Sequence, residues 1–407
     1  MKQSIEYYIK GQGLDTSTES KIDKKHLFKS YNNLYSLHPE IKFESLDFIY
    51  NEDSINTTKF SIILLNEWVK YLKVNGYLIV SFKENNHLNN KKMNMIYEKY
   101  LKRHLNLVEH KQNNDEHTFI FSKHSKYLPD NDSIDKWTFG MITVGKRNEW
   151  VKLFITSIRS QKIPHYEIIV VGTWNDPEIM GKDITYIPFS EKDDKGWITK
   201  KKNIVFENAK YNNVLILHDR FYLDKDWYVN LKKCGNYWDG LVFPIIDKTG
   251  FEYSHWGVWS HGLLPIGYAD IKDWGEDYYA GGTFMAIKKN LWEKVKLNEK
   301  LFWNDQEDAD FGLRFTKEGF VTRGISDAKL HTTVTYFNDA PVYEYDDQKL
   351  GKPIEYRSAK WKVIQPAIDV CTRVVGLPFL RTRKKASLFL KRFTNKVSAP
   401  ESGGSRE

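Results

Sequence analysis

Between residues 137 and 217 the chain alternates short, continuously apolar runs with segments of helical period. The runs are Trp137–Thr143, Glu167–Val171 and Val214–Leu217. Runs this short and this apolar predict strands covered on both faces, because a half-exposed strand would show a polar residue at every second position. A helix follows the first run and ends at Ser160–Pro164, where the proline stops it; a cationic helix start, Gly196–Asn203, precedes the third. Strands that alternate with helices predict an α/β domain with a mostly parallel sheet over residues 136–336. Upstream lies a smaller αβ pattern: a strand at Leu46–Tyr50, a helix at Ser61–Leu72, a turn at Val74–Gly76 and a buried strand at Tyr77–Phe82. A helix near Met93–Leu105 and a hairpin-like Phe119–Phe121 complete it. The first 45 residues are polar and too few to add strands, and Lys123–Lys136 is a polar linker. Beyond Pro341 there remain a helical period at Trp361–Val375 and a basic, amphipathic stretch from Leu377 to Phe393. The expected units are therefore 1–125, 136–336 and 337–407.

Composition narrows the function classes. The chain has 407 residues, enough for two cores, and 15% of them are aromatic. A net charge of +8 favours anionic partners such as nucleotides or phospholipid surfaces. The same charge would suit nucleic acid, but no RNA-binding module is recognisable, so nucleic acid is not an expected partner. Cys234 and Cys371 match no metal or redox spacing, which suits a reducing compartment. No run of about 18 apolar residues occurs, so no bilayer-spanning helix is expected. A cytoplasmic protein is expected, resting on the inner face of the plasma membrane if the tail binds anionic lipid.

In an open α/β sheet, ligands bind beyond the carboxyl ends of the strands. The turns after Val144, Val171 and Leu217 share that edge. Lys146, Arg147, Lys200, Lys201 and Lys202 are placed in sequence to neutralise a diphosphate there, although each taken singly also suits a solvated surface.

These residues, in this order, resemble a GT-A glycosyltransferase of the family 2 type. Ile142–Lys146 matches the donor-binding turn, Ser157–Gln161 the end of the first helix, and Gly196 through Asn203 the Gly-x-x-x-Ala-Arg-Asn element. The resemblance implies a nucleotide-sugar donor held by Thr143, Gly145, Lys146, Arg147, Lys201, Lys202, Asn203, His218, Asp219 and Arg220. His218–Arg220 falls on the family's Asp-x-Asp motif but carries Arg220 where the last acid would hold Mn²⁺ or Mg²⁺. Two arrangements stand open: Asp219 binds a metal with His331 as partner, or no metal is used and Arg220 meets the diphosphate directly.

Downstream, Gly281-Gly282, Trp292 and Asp305–Arg314 resemble the Gly-Gly and Trp-x-x-Glu-Asp acceptor module of galactosyltransferase-type enzymes. It implies Asp308 as general base on the acceptor hydroxyl and Glu307 holding the acceptor, with inversion. The same acids would suit any helix N-terminus. Gly281, Gly282 and Trp256 are expected on the acceptor side. Trp256, Trp259, His255 and His261 read as an aromatic loop, and Trp274 with Glu276 and Asp277 would line the same pocket. Residues 46–81 weakly resemble a truncated, inactive methyltransferase whose cofactor-binding glycine turn is missing. The leading expectation is sugar transfer to a glycan or lipid-linked glycan hydroxyl. The alternative is a non-catalytic glycan- or nucleotide-binding scaffold of a polysaccharide assembly.

Overall fold

The computed structural model describes residues 5–17, 22, 27–28, 41–58, 60–174, 176, 179–253, 256–261, 264–269 and 274–335, with short strands inside 342–353. The helix expected at 361–375, the basic stretch at 377–393, Cys371 and His255 lie outside the described residues, as do the side chains of Trp259 and His261. All that follows belongs to one compact unit ending at Ile354. No helix among the described residues is long and apolar enough to cross a membrane.

The N-terminal part is a six-stranded sheet built from β1 (Gly13–Asp15), β2 (Leu27–Phe28), β3 (Leu46–Glu52), β4 (Leu72–Lys83), β5 (Leu105–Asn113) and β6 (Glu116–Lys123), in the order 2-1-3-4-6-5. Strands 2, 1, 3 and 4 are parallel, β6 runs antiparallel to β4, and β5 runs antiparallel to β6 and so in the direction of the first four. The expectation that the first 45 residues add no strands is therefore corrected. Two- and three-residue strands show no period in sequence; pairing along β3 is what defines them. Asn51, at the carboxyl end of β3, donates to Thr16 O (3.1 Å) and Thr16 Oγ1 (2.9 Å), so this edge is tied by internal bonds. Helix α1 (Ser61–Tyr71) buries almost every residue, Lys70 and Glu67 included, because it packs on the sheet with one face and on the following domain with the other.

The second sheet has seven strands: β7 (Lys136–Thr143), β8 (His165–Gly172), β9 (Ile184–Pro188), β10 (Asn213–His218), β12 (Gly240–Val242), β17 (Phe284–Lys288) and β18 (Thr322–Gly324). Their order is 18-12-17-10-7-8-9, and β17 alone runs antiparallel to its neighbours. The α/β class and the mostly parallel sheet are as the sequence implied. Helices α3 (Asn148–Ser160) and α4 (Ile198–Asn208) are its crossovers, and α7 (Glu307–Lys317) packs Phe311 and Phe315 against Trp292, Met285 and the α4 residue Phe206; the other helices are α2 (Asn90–Ile96), α5 (Trp227–Cys234) and α6 (Lys289–Val295). A small sheet of β11 (Phe221–Leu223), β13 (Ile245–Ile246) and β19 (Leu330–Thr332) extends one end. The region read as an aromatic loop is instead a hairpin, β14 (Gly257–His261) with β15 (Leu264–Ala269), joined by β16 (Tyr278–Ala280).

One hydrophobic core runs through both sheets, from Leu14 to Leu330. Polar groups are also shared across that boundary. Arg103 Nη2 pairs with Asp239 Oδ2 (2.6 Å), Tyr127 Oη donates to Asp239 Oδ1 (2.9 Å), and Arg323 pairs with Glu67 (3.1 Å).

Candidate active site

The turn after β7 and the end of β10 lie side by side because the two strands pair in parallel, His218 opposite Ile142. Asp219 is 5% exposed and held from two directions: Thr143 Oγ1 donates to Oδ2 (2.9 Å) and Arg147 Nη1 to Oδ1 (2.8 Å). Gly145 donates its N–H to Thr143 Oγ1 (3.1 Å), and its φ of +78° closes the turn. Lys146 is exposed, and Arg147, half-open to solvent, lies over the Trp150 ring. His218 Nε2 is buried without a hydrogen-bond partner. Burial first, then the charges of Lys202, Arg220 and Arg147, hold the imidazole neutral, well below the ordinary histidine range. Thr143, Gly145, Arg147, His218, Asp219 and Arg220 thus share one edge, as expected.

The three lysines of α4 do not share it. Successive helical residues point about 100° apart, so three in a row cannot line one face. Lys200 pairs with Glu299 (3.1 Å). Lys201 is 2% exposed, donates to Thr143 O (2.7 Å) and pairs with Asp193 (2.6 Å), so its ammonium is taken up within the fold beside the turn after β7. Asn203 is corrected too. Its amide donates to Leu297 O and Glu299 Oε1, and its oxygen accepts from Trp292 Nε1 and Leu297 N, which uses the whole capacity of the side chain.

Lys202 is the cation that joins the two halves. Fully buried, it donates Nζ to Gly282 O (2.7 Å) and lies within electrostatic reach of Glu307 and Asp308, while burial lowers its ammonium below the ordinary lysine range. Gly282 N donates to Asp308 Oδ2 (2.8 Å). A Cβ added at Gly282 would lie 3.0 Å from Glu307 Oε1 and 3.1 Å from Asp308 Oδ2, so the acid pair comes this close only because the residue is glycine. Gln306, with φ +62°, turns the chain into α7. Burial, then the charge of Asp308, pushes the Glu307 carboxyl up to about 7 against the opposing pull of Lys202. Asp308 keeps solvent-facing surface.

His331 is bonded to another acid, not to Asp219. Its Nε2 meets Asp224 Oδ2 (2.8 Å) and its ring stacks on Tyr222, because β19 pairs antiparallel with β11. Asp219 and His331 therefore have separate partners. No group of three or more His, Cys, Asp or Glu side chains gathers as a metal set among the described residues. Asp219 is bonded to Thr143 and Arg147 and His331 to Asp224, so the structure does not bring the two together, and the expected Asp219–His331 metal pair is corrected. Trp256 also departs from expectation: it is 4% exposed, packed on Tyr253 and Tyr268, with Gly281 against its indole, and offers no open face. Trp274 and Glu276 face the N-terminal sheet through Tyr100. The sequence reading did not single out Trp303, which is 61% exposed four residues before Glu307 and whose backbone N–H donates to Gly196 O (2.8 Å). Its spacing before Glu307-Asp308 was the available signal.

No protein-family model matches this chain, and no curated protein matches it. Among solved structures it is similar to TarS of S. aureus, at 15% identity over 49% of this chain and 37% of that one, with a TM-score of 0.35. A complex of S. aureus TarS 1–349 with UDP matches at 15% identity over 49% of this chain and 61% of that one, TM-score 0.36. GalNAc-T7 with UDP, GalNAc and Mn²⁺ matches at 13% identity over 51% and 45%, TM-score 0.37. The matches take in between 37% and 61% of those solved chains.

Proposed function

We propose that this chain is a nucleotide-sugar-dependent glycosyltransferase that moves a sugar to a glycan or lipid-linked glycan hydroxyl with inversion. The observation that carries the reading is the Lys202 bridge, which ties a buried ammonium on the donor-side helix to Gly282 and the Glu307–Asp308 pair. In this reading Asp308 takes the proton of the acceptor hydroxyl, whose oxygen attacks the anomeric carbon as the bond to the diphosphate oxygen breaks on the opposite face. A base held by the Gly282 N–H is preorganised for that step. Arg147, Arg220 and exposed Lys146 neutralise the departing diphosphate, with Arg suited to bidentate phosphate contact. Neutral His218 supplies a buried hydrogen-bonding group beside it, and Trp303 a stacking face for an incoming sugar ring.

The test is nucleoside diphosphate release from a panel of nucleotide-sugars, with and without EDTA. Release that survives chelation, and that falls by about 100-fold or more in Asp308→Asn with donor binding retained, is expected. Absence of turnover with every donor would overturn the reading. A non-catalytic nucleotide- or glycan-binding scaffold is the second reading. It is favoured by the Arg147–Asp219 ion pair, which occupies the one carboxylate of the His218–Arg220 element. It predicts binding without turnover in the same assay.

A further inference from the structure

The N-terminal sheet has no part in the chemistry above, yet it touches the acid pair's surroundings from two sides through one short turn. In the helical turn Tyr97–Leu101, Tyr100 Oη donates to Glu276 Oε1 (2.7 Å) and Lys99 Nζ reaches the same oxygen (2.5 Å). The Tyr100 ring, fully buried, meets Trp274 edge-on at 6.1 Å. Residues 274–276 lead directly into β16 and so into Gly281-Gly282. On the other side, the Lys99 carbonyl lies against Gly319, where an added Cβ would come within 1.8 Å of the Lys99 oxygen; Gly319, with φ +79°, ends the α7 segment that begins with Glu307-Asp308. Two residues on, Val321 N donates to Asp239 Oδ2 (2.9 Å), the carboxylate paired with Arg103, whose guanidinium lies over the Phe320 ring at 5.2 Å. Between the two contacts, Gly312 of α7 packs directly on Tyr279 of β16: a Cβ there would meet Tyr279 Cβ at 2.2 Å.

We propose that the N-terminal sheet is a positioning element: its Lys99–Arg103 turn clamps the approach to Gly282 and the far end of α7, and so sets the separation between the Gly282 backbone and the Asp308 carboxylate. Tyr100 and Glu276 are the positioning residues of that clamp. The assignment rests on the glycosyltransferase reading only for its consequence in turnover; the mechanical link stands on the contacts themselves.

The experiment is hydrogen–deuterium exchange on the full chain, comparing wild type with Tyr100→Phe and Glu276→Gln. The phenylalanine keeps the ring against Trp274 and removes one hydroxyl, so the fold survives. Exchange is expected to accelerate several-fold at 278–282 and at 305–312, while strands 137–143 and 213–218 keep their rates. Exchange changes confined to 97–103 and 274–276, or spread evenly over the chain, would overturn the proposal. Nucleoside diphosphate release from the donor panel is measured on the same samples. A chain that never turns over but shows the exchange pattern sinks the glycosyltransferase reading and leaves the clamp. Normal turnover without the pattern sinks the clamp alone. Where wild type is active, Tyr100→Phe should lower kcat of release about three- to ten-fold with donor binding unchanged, a split that general destabilisation would not give.

Discussion

Two neighbouring carboxylates at the start of α7 differ because their surroundings differ. Glu307 is buried beside a like charge, so its proton is held up to about 7; Asp308 has backbone N–H donors from Gly282 and Ala309. If an ionised Glu307 receives a second acceptor hydroxyl, turnover should rise with pH through a limb near 7 as that carboxyl loses its proton. Glu307→Gln should remove the limb and leave a flat profile there. A limb of unchanged midpoint in that variant would assign it to another group. The sign for stability runs the other way. Between the ordinary glutamate value of 4.5 and about 7 the folded state holds a proton that the unfolded chain has lost, so Glu307 disfavours the fold increasingly as pH rises through that window. Asp308 and Glu307 were legible from the residues before a helix with Gly281-Gly282 upstream. Their shared cationic neighbour, Lys202, was legible only as one of three equivalent lysines.

At the level of elements, α4 shows how a motif can be found and its members misassigned. The cationic helix start is where the sequence placed it, but rotation around the helix sends Lys200, Lys201 and Lys202 to Glu299, Thr143 and Gly282. Asn203 links α4 to the 292–299 segment through four hydrogen bonds. Asn203→Ala leaves Trp292 Nε1 and the Leu297 backbone without partners in a buried site, and should cost roughly 2–4 kcal/mol. Chemical denaturation checks it: a loss below about 0.5 kcal/mol would mean that water replaces the amide. The small sheet holding His331 illustrates the converse. A lone histidine after a short strand gave no hint that Asp224 lies within 2.8 Å, because the β11–β19 pairing that joins them spans more than a hundred residues.

Up to Ile354 the chain forms one compact unit whose two sheets share a core and a buried ionic network. Asp239, 3% exposed, accepts from Arg103, Tyr127 and Val321 at once. Asp239→Ala strands a partly buried guanidinium, and removing one partner of such a pair costs about 3–5 kcal/mol. A single thermal transition is expected for wild type, shifted to lower temperature as a whole in the variant. Two separated transitions in either protein would mean that the sheets unfold independently. The linker expected at Lys123–Lys136 is where this coupling is hardest to foresee: its polarity reads as an exposed tether, but Asp132 pairs with buried Lys288 (3.0 Å) and Tyr127 packs into the junction.

By itself the sequence determined the α/β class and the succession of strands and helices from residue 137 to residue 217. These follow from periodicity, helix stops and residue type, which act over a few positions at a time. Only the tertiary structure decided which lysine meets the acids, that Asp219 is matched by Arg147 and His331 by Asp224, and that the N-terminal sheet is built into the same body. Those outcomes depend on the direction in which each side chain leaves its element and on pairings between strands far apart in the chain. Neither is written in local sequence, since a hydrogen bond or ion pair is specified by where two backbones are brought together.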